Sequence, residues 1–345
     1  MNRKLHSALV ALMVTAIPAA ALAQPAALEP IPGTTVLPPE RPAPLPKSQV
    51  AFRLEAIRAI DQGLLHGSRA ALLAYESTAL PENWTRHSID RPSSRGGTQT
   101  VLITRLSERD KTIEVAIRGT ASLDDALADL DAKAELDADL QIPLHAGFRS
   151  IAVAVRQFLA KTFPGAQFAD YGYRLYGHSL GGAVASIVSM YLHQAGLTVD
   201  RVVTFGAPRF TTNEGARKYQ VLNQRTYRVV RCDDVVPFLP PPNFFGWSTG
   251  GYEANGNLVL LLAPPYFDYS VGIDIERDFT HRLREDLANA LGKQKLAYGH
   301  RMDHYGDLIA SFGRDRFGAT VDLKPVSYRL AQQDQLCPAR LSAAR

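Results

Sequence analysis

Between residues 177 and 181 the chain reads Gly-His-Ser-Leu-Gly, with "YRLY" before it and "GGAVASIVSMYL" from Gly181 onward. A serine hydroxyl is a weak nucleophile at neutral pH. It becomes a strong one where an imidazole takes its proton and a carboxylate orients that imidazole. G-x-S-x-G arises easily by chance, so its flanks must decide. The chemistry needs a strand before the motif and a helix after it, so that a strained turn exposes the serine oxygen. Both are present here. Gly177 and Gly181 leave room where strand and helix pack closely, and a helix start aims amide N–H groups at a developing negative charge. The chemistry this spacing suits is acyl transfer through Ser179.

The elements that must position Ser179 follow from periodicity. Residues 52–77 repeat apolar side chains at helical spacing and predict one or two amphipathic helices. β-branched runs at 98–106 and 111–118 flank a charged turn and predict a hairpin. "IAVAVRQFLAKTF" predicts a helix stopped by Pro164 and Gly165. A strand over 173–177, a helix over 181–195 and strands over 201–205 and 226–231 come next. Strands alternating with helices predict a mainly parallel sheet covered on both faces. "GYEANGNLVLLLA" places Asn255-Gly256 between two extended runs, a hairpin signal. Residues 276–298 predict a further helix.

The chain has 345 residues, room for a large α/β core. Arg3 and Lys4 precede an apolar run that ends at Ala21-Leu22-Ala23, so residues 1–23 are expected to be a signal peptide cleaved before Gln24. That run is too short for a membrane span, no later stretch is long enough, and no cysteine follows for a lipid anchor. Export to the periplasm or beyond the cell is the expected localisation. Residues 24–47 carry eight prolines and are expected to be an extended, disordered linker. The formal charge of +4 includes Arg3 and Lys4. With no basic run and no zinc-ligand spacing, nothing points to nucleic acid as a partner, and no metal or cofactor is expected. Cys232 and Cys337 are the only cysteines, and in an oxidising compartment they are a candidate disulfide.

From about residue 60 to 310 the sequence resembles the class 3 lipases, a family of α/β-hydrolase fold. The likeness rests on ordered motifs: "VAIRGT" (115–120), "LHAGFRS" (144–150), "YGHSLGGAVA" (176–185), "VVTFGAPR" (202–209), "YRVVRCDDVVPFLPP" (227–241) and "DHYGDL" (303–308). The resemblance implies an α/β-hydrolase domain over 48–325, followed by a tail over 326–345. It also implies Ser, Asp and His in chain order. Of Asp233 and Asp234, it puts Asp234 in the triad. Of His281, His300 and His304, it puts the base at His304, with His300 as the substitute if the loop is wound differently. The oxyanion donors it implies are the N–H groups of Thr120 and Leu180. His145 and His178 are expected close to the site without serving as base.

Two regions bear on the substrate. Residues 121–141 stand where the family carries its lid, with Leu123, Leu127 and Leu130 as a candidate apolar face. They contain no tryptophan, and a solvated acidic helix is the alternative. Phe244, Phe245 and Trp247, with the apolar run 257–263, suggest an acyl pocket or transient contact with a lipid interface, against ordinary buried packing. The expected function is an exported serine hydrolase of carboxylic esters, a lipase acting on acylglycerols or shorter acyl esters. The alternatives are a phospholipase, a feruloyl-type esterase, an acyltransferase with the same triad, and a non-catalytic binding protein on an inactive hydrolase fold.

Overall fold

A computed structural model describes residues 63–91, 98–120, 134–240, 251–262, 266–270, 299–311 and 324–325. The expected signal peptide, the linker, most of the lid region, Phe244, Phe245, Trp247, the 276–298 helix and Cys337 lie outside these residues.

Among the described residues the main sheet has nine strands in the order β1-β2-β3-β6-β7-β9-β11-β12-β13. Its centre is parallel, formed by β3 (Thr112–Ile117), β6 (Gly172–His178), β7 (Thr198–Phe205), β9 (Thr226–Arg231) and β11 (Asn257–Leu261). Antiparallel strands flank it: β1 (Trp84–Arg91) and β2 (Thr98–Ser107) on one side, β12 (Tyr266–Ser270) on the other. β13 (Lys324–Pro325) then pairs parallel with β12. This mainly parallel sheet with helices on both faces is the α/β-hydrolase architecture. The β2–β3 pairing, with Leu102 opposite Ile117, is the hairpin expected from the β-branched runs. β1 carried no expectation: its polar, alternating "WTRHSIDR" has too few apolar residues to read as a strand without its partner β2.

Alternation along the strands sorts side chains onto two cores. Ile113, Val115 and Ile117 of β3, Leu175 of β6 and Val202 of β7 face one way, packing against α2 (Ala146–Thr162) and α3 (Leu180–Gln194). Ala116, Tyr176, Val203 and Val229 face the other way, against α1 (63–73) and α5 (Met302–Ser311). α3 is buried continuously from Leu180 to Leu192, and its near-total lack of charge follows from that.

A second, antiparallel sheet has the order β10-β8-β5-β4, built from β4 (Ala134–Asp137), β5 (Ile142–His145), β8 (Thr211–Thr212) and β10 (Tyr252–Glu253), with α4 (Asn213–Lys218) following β8. It changes two expectations. Residues 134–137 are a strand rather than the end of an acidic helix: Leu136 points to solvent while Asp137 is buried. The Asn255-Gly256 segment is not a hairpin turn. The run before it pairs with β8 in the small sheet, and the run after it joins β9 in the main sheet. Cys232 is disulfide-bonded.

Candidate active site

The parallel strands end on one side of the sheet, and ligands of open α/β sheets bind beyond those carboxyl ends. Arg118-Gly119-Thr120 follow β3, Ser179 follows β6, Gly206 follows β7 and Asp234 follows β9 by three residues. The chemistry-bearing residues therefore converge because the strands do.

Ser179 has φ 56° and ψ −131°, a conformation L side chains seldom adopt. It occupies the N-cap of α3, yet its side chain makes no cap hydrogen bond. Its Oγ instead lies 2.8 Å from His300 Nε2. The backbone holds the corner in place, with Ser179 N–H donating to Phe205 O at 2.9 Å and Gly182 N–H to Ser179 O at 2.9 Å.

On its other side, His300 Nδ1 lies 2.9 and 3.1 Å from the two carboxylate oxygens of Asp234. A carboxylate only accepts, so Nδ1 carries the proton and Nε2 is free to accept from the serine hydroxyl. Asp234 also accepts from the Tyr305 hydroxyl at 2.6 Å and from Val236 N–H at 3.0 Å. Burial pushes the Asp234 carboxyl up, but the charge and hydrogen bonds of His300, with Tyr305 and Val236, outweigh it and hold the group ionised, below its ordinary value. Tyr305 is pushed well up, by burial first and then by the Asp234 charge, so it remains a donor. Gly206, at φ 58°, passes beside this pair. A Cβ there would stand 2.6 Å from Asp234 Oδ2 and 3.1 Å from His300 Nδ1.

The two adjacent aspartates separate cleanly. Asp234 faces His300, whereas Asp233 receives Arg231 through Nε at 2.9 Å and Nη2 at 2.8 Å. That pairing engages the nearby guanidinium, which reaches Asp234 as a neighbouring charge, while the hydrogen bonds to Asp234 come from His300, Tyr305 and Val236.

The histidines correct an expectation. The residue brought to Ser179 and Asp234 is His300, not His304. His304 lies in the first turn of α5, where its carbonyl accepts from Arg231 Nη1 at 3.1 Å. The reason is geometric. Tyr305 sits one turn into α5 and reaches back to Asp234, which fixes the helix against the β9 loop. The residue then opposite Ser179 is the one in the turn before the helix. The tyrosine of "DHYGDL" is at the site and its histidine is not. His281 lies outside the described residues.

His178 is at the site. Its ring stands 4.8 Å from that of His300, and its Nε2 lies 2.7 Å from the His300 carbonyl oxygen. Burial, with the His300 charge, pushes its pKa down to about 3, so it is neutral. His145 serves as a helix cap: its Nδ1 accepts from Phe148 N–H at 3.4 Å and its ring stacks on Phe148 at 4.0 Å. Leu180 provides the first amide of α3, a group without an intrahelical partner. Thr120 Oγ1 is buried with no hydrogen-bond partner. Tyr75, which no motif singled out, also reaches the site, with its hydroxyl 2.8 Å from His178 Nδ1. No group of three or more metal-ligating side chains occurs among the described residues.

Residues 114–244 match the family model described as Lipase (class 3). A lipase of Caenorhabditis elegans is 38% identical over 96 residues, covering 27% of this chain and 27% of its own length. A secreted mono- and diacylglycerol lipase of Fusarium solani is 30% identical over 134 residues, covering 38% of this chain and 40% of its own. The alignments thus span less than half the length of either relative. Among solved structures, the Rhizomucor miehei lipase propeptide complex is 21% identical with a TM-score of 0.48, covering 59% of this chain and 68% of that one.

Proposed function

We propose that this chain, which carries a class 3 lipase segment, is a serine hydrolase of carboxylic esters, with acylglycerols or shorter acyl esters as its substrate class. The observation that carries the reading is the unbroken line Ser179 Oγ–His300 Nε2, 2.8 Å, and His300 Nδ1–Asp234 Oδ2, 2.9 Å, at a corner where Ser179 is held at positive φ.

In this reading Ser179 Oγ attacks the ester carbonyl carbon as its proton passes to His300 Nε2. The imidazolium that forms is stabilised by Asp234, while the hydrogen bonds of the neighbouring Arg231 guanidinium go to Asp233. Negative charge builds on the carbonyl oxygen, which the N–H groups of Leu180 and Thr120 and the Thr120 hydroxyl receive. Each such donor is worth about 3 kcal/mol in the transition state. His300 then gives its proton to the leaving alkoxide, releasing the alcohol and leaving an acyl-Ser179. Water, deprotonated by the same imidazole, cleaves the acyl-enzyme. Export through residues 1–23 belongs to the same proposal, supported by the basic start, apolar run and Ala21-Leu22-Ala23 site, and by the similarity to a secreted Fusarium solani lipase.

The test is hydrolysis of p-nitrophenyl esters from acetate to palmitate by the purified protein, with Ser179→Ala in parallel. Turnover with a chain-length optimum, abolished in Ser179→Ala, is expected. Absence of turnover with every ester, together with no labelling by a fluorophosphonate, overturns the reading.

A further inference from the structure

Resting on the hydrolase reading above, we infer that Tyr75 is a positioning residue of the active site, acting through His178 to set the backbone of His300. One tyrosine hydroxyl joins the two sides of the site. Gly119 N–H donates to Tyr75 Oη at 3.0 Å, Tyr75 Oη donates to His178 Nδ1 at 2.8 Å, and His178 Nε2–H donates to the His300 carbonyl at 2.7 Å. The direction of each bond is forced. A carbonyl only accepts, so Nε2 carries the proton of a neutral ring. Nδ1 must then accept, which makes the tyrosine the donor and leaves its lone pairs for Gly119 N–H.

The arrangement is specific on both sides. Gly119 is pinched, since a Cβ there would stand 2.5 Å from both Tyr75 Oη and the His178 carbonyl oxygen. Its N–H is engaged by Tyr75 and is not spare for substrate, which leaves the next residue, Thr120, to point its groups into the site. On the far side, the His300 carbonyl is fixed on the residue whose imidazole must meet both Ser179 and Asp234, so a small rotation there misaligns two hydrogen bonds at once. The groups around the His178 ring are Tyr75 from the end of α1, His300, Asp303 and Tyr305 from the 299–311 segment, and Asp234 from the β9 loop. No element other than the one ending in Tyr75 offers Nδ1 a hydrogen-bond donor among the described contacts. The hydroxyl therefore acts in register with catalysis, whereas the ring alone would suffice to fill space.

The experiment compares wild type, Tyr75→Phe, His178→Asn and the double variant. It reads kcat and KM for p-nitrophenyl butyrate, thermal unfolding, and the ¹⁵N shifts of histidine-labelled protein. Tyr75→Phe is expected to lower kcat about tenfold or more, with KM within about twofold and the unfolding temperature nearly unchanged. The double variant is expected to match the worse single variant within about threefold, because both residues act along one line. In the wild type the His178 signals should show a protonated Nε2 and a hydrogen-bonded, unprotonated Nδ1, with only Nδ1 moving in Tyr75→Phe. A Tyr75→Phe kcat within about twofold of wild type, multiplicative losses in the double variant, or an Nδ1–H tautomer in the wild type each overturns the inference. If the wild type turns over no ester, the hydrolase reading fails, and the ¹⁵N tautomer alone decides the brace.

Discussion

Among the described residues two carboxylate–histidine–tyrosine sets, each around a buried carboxylate, lie on the same side of the sheet, and only one has the makings of a catalyst. Asp234 meets His300, the Tyr305 hydroxyl and Val236 N–H. Glu114, in the middle of β3, meets His66 at 2.9 Å, the Tyr176 hydroxyl at 3.1 Å and the guanidinium of Arg105. Both carboxyls are ionised against the cost of burial. For Glu114 the hydrogen bonds and charges of His66 and Arg105 overcome that cost and bring it to about 2. The difference lies in what remains of the charge. Arg105 pairs with Glu114 directly, so His66 shares this carboxylate with a permanent cation. Near Asp234 the guanidinium of Arg231 is taken by Asp233, and the carboxylate keeps its charge for the imidazole. The far nitrogen differs too: that of His300 meets a serine held at positive φ, while His66 lies partly open to solvent beside Trp84. On the proposed reading, the pair suited to catalysis is the one whose carboxylate carries no direct guanidinium hydrogen bond and whose histidine faces a hydroxyl it can deprotonate.

This contrast can be broken by substitution. Ser179→Ala and His300→Ala are expected to lower kcat for a p-nitrophenyl ester by about a thousandfold or more, with far-UV circular dichroism unchanged. Asp234→Asn should come close, since an amide stabilises the wrong tautomer and no longer stabilises the imidazolium. Glu114→Gln should leave kcat within about threefold but cost on the order of 1–3 kcal/mol of stability, read as a lower unfolding temperature, because Arg105 loses its partner. Equal loss of activity in Glu114→Gln and Asp234→Asn would erase the distinction.

Acid sharpens the comparison further. The folded-state pKa of Glu114, about 2, lies below its ordinary 4.5. Its contribution to stability is therefore present above the unfolded value and is lost as pH falls from 4.5 through 2. Wild type should lose stability across that window more steeply than Glu114→Gln, as followed by urea unfolding at successive pH values. Within the Asp234 set the smallest loss of activity is expected from Tyr305→Phe, which removes one of the donors that Asp234 has besides His300. About a tenfold loss of kcat is predicted there, and an unchanged rate would remove Tyr305 from the account.

Much of this was legible in the chain. The Ser179 corner announces itself because its glycines, strand and helix are local and contiguous. β3, β6, α3, β7 and β9 were expected close to where they lie, because their apolar runs are long and buried on both faces. The motif favours Asp234 over Asp233, and in the structure Arg231 pairs with Asp233 while Asp234 faces His300. His300 and His304 differ by a single helical turn, and no local pattern says which one faces Ser179. That is set by where Tyr305 docks, a contact 71 residues away in sequence from Asp234. Tyr75 was invisible for a similar reason: a tyrosine at the end of an amphipathic helix reads as core until the fold brings His178 to it.

The most direct test of the central claim is the rate of Ser179 labelling by a fluorophosphonate in wild type, His300→Ala and His304→Ala. Labelling requires the serine to be activated by its base but no substrate fit. The account predicts that His300→Ala slows labelling by about a hundredfold or more, while His304→Ala labels within about threefold of wild type. The reverse order, or equal labelling in all three, would contradict it.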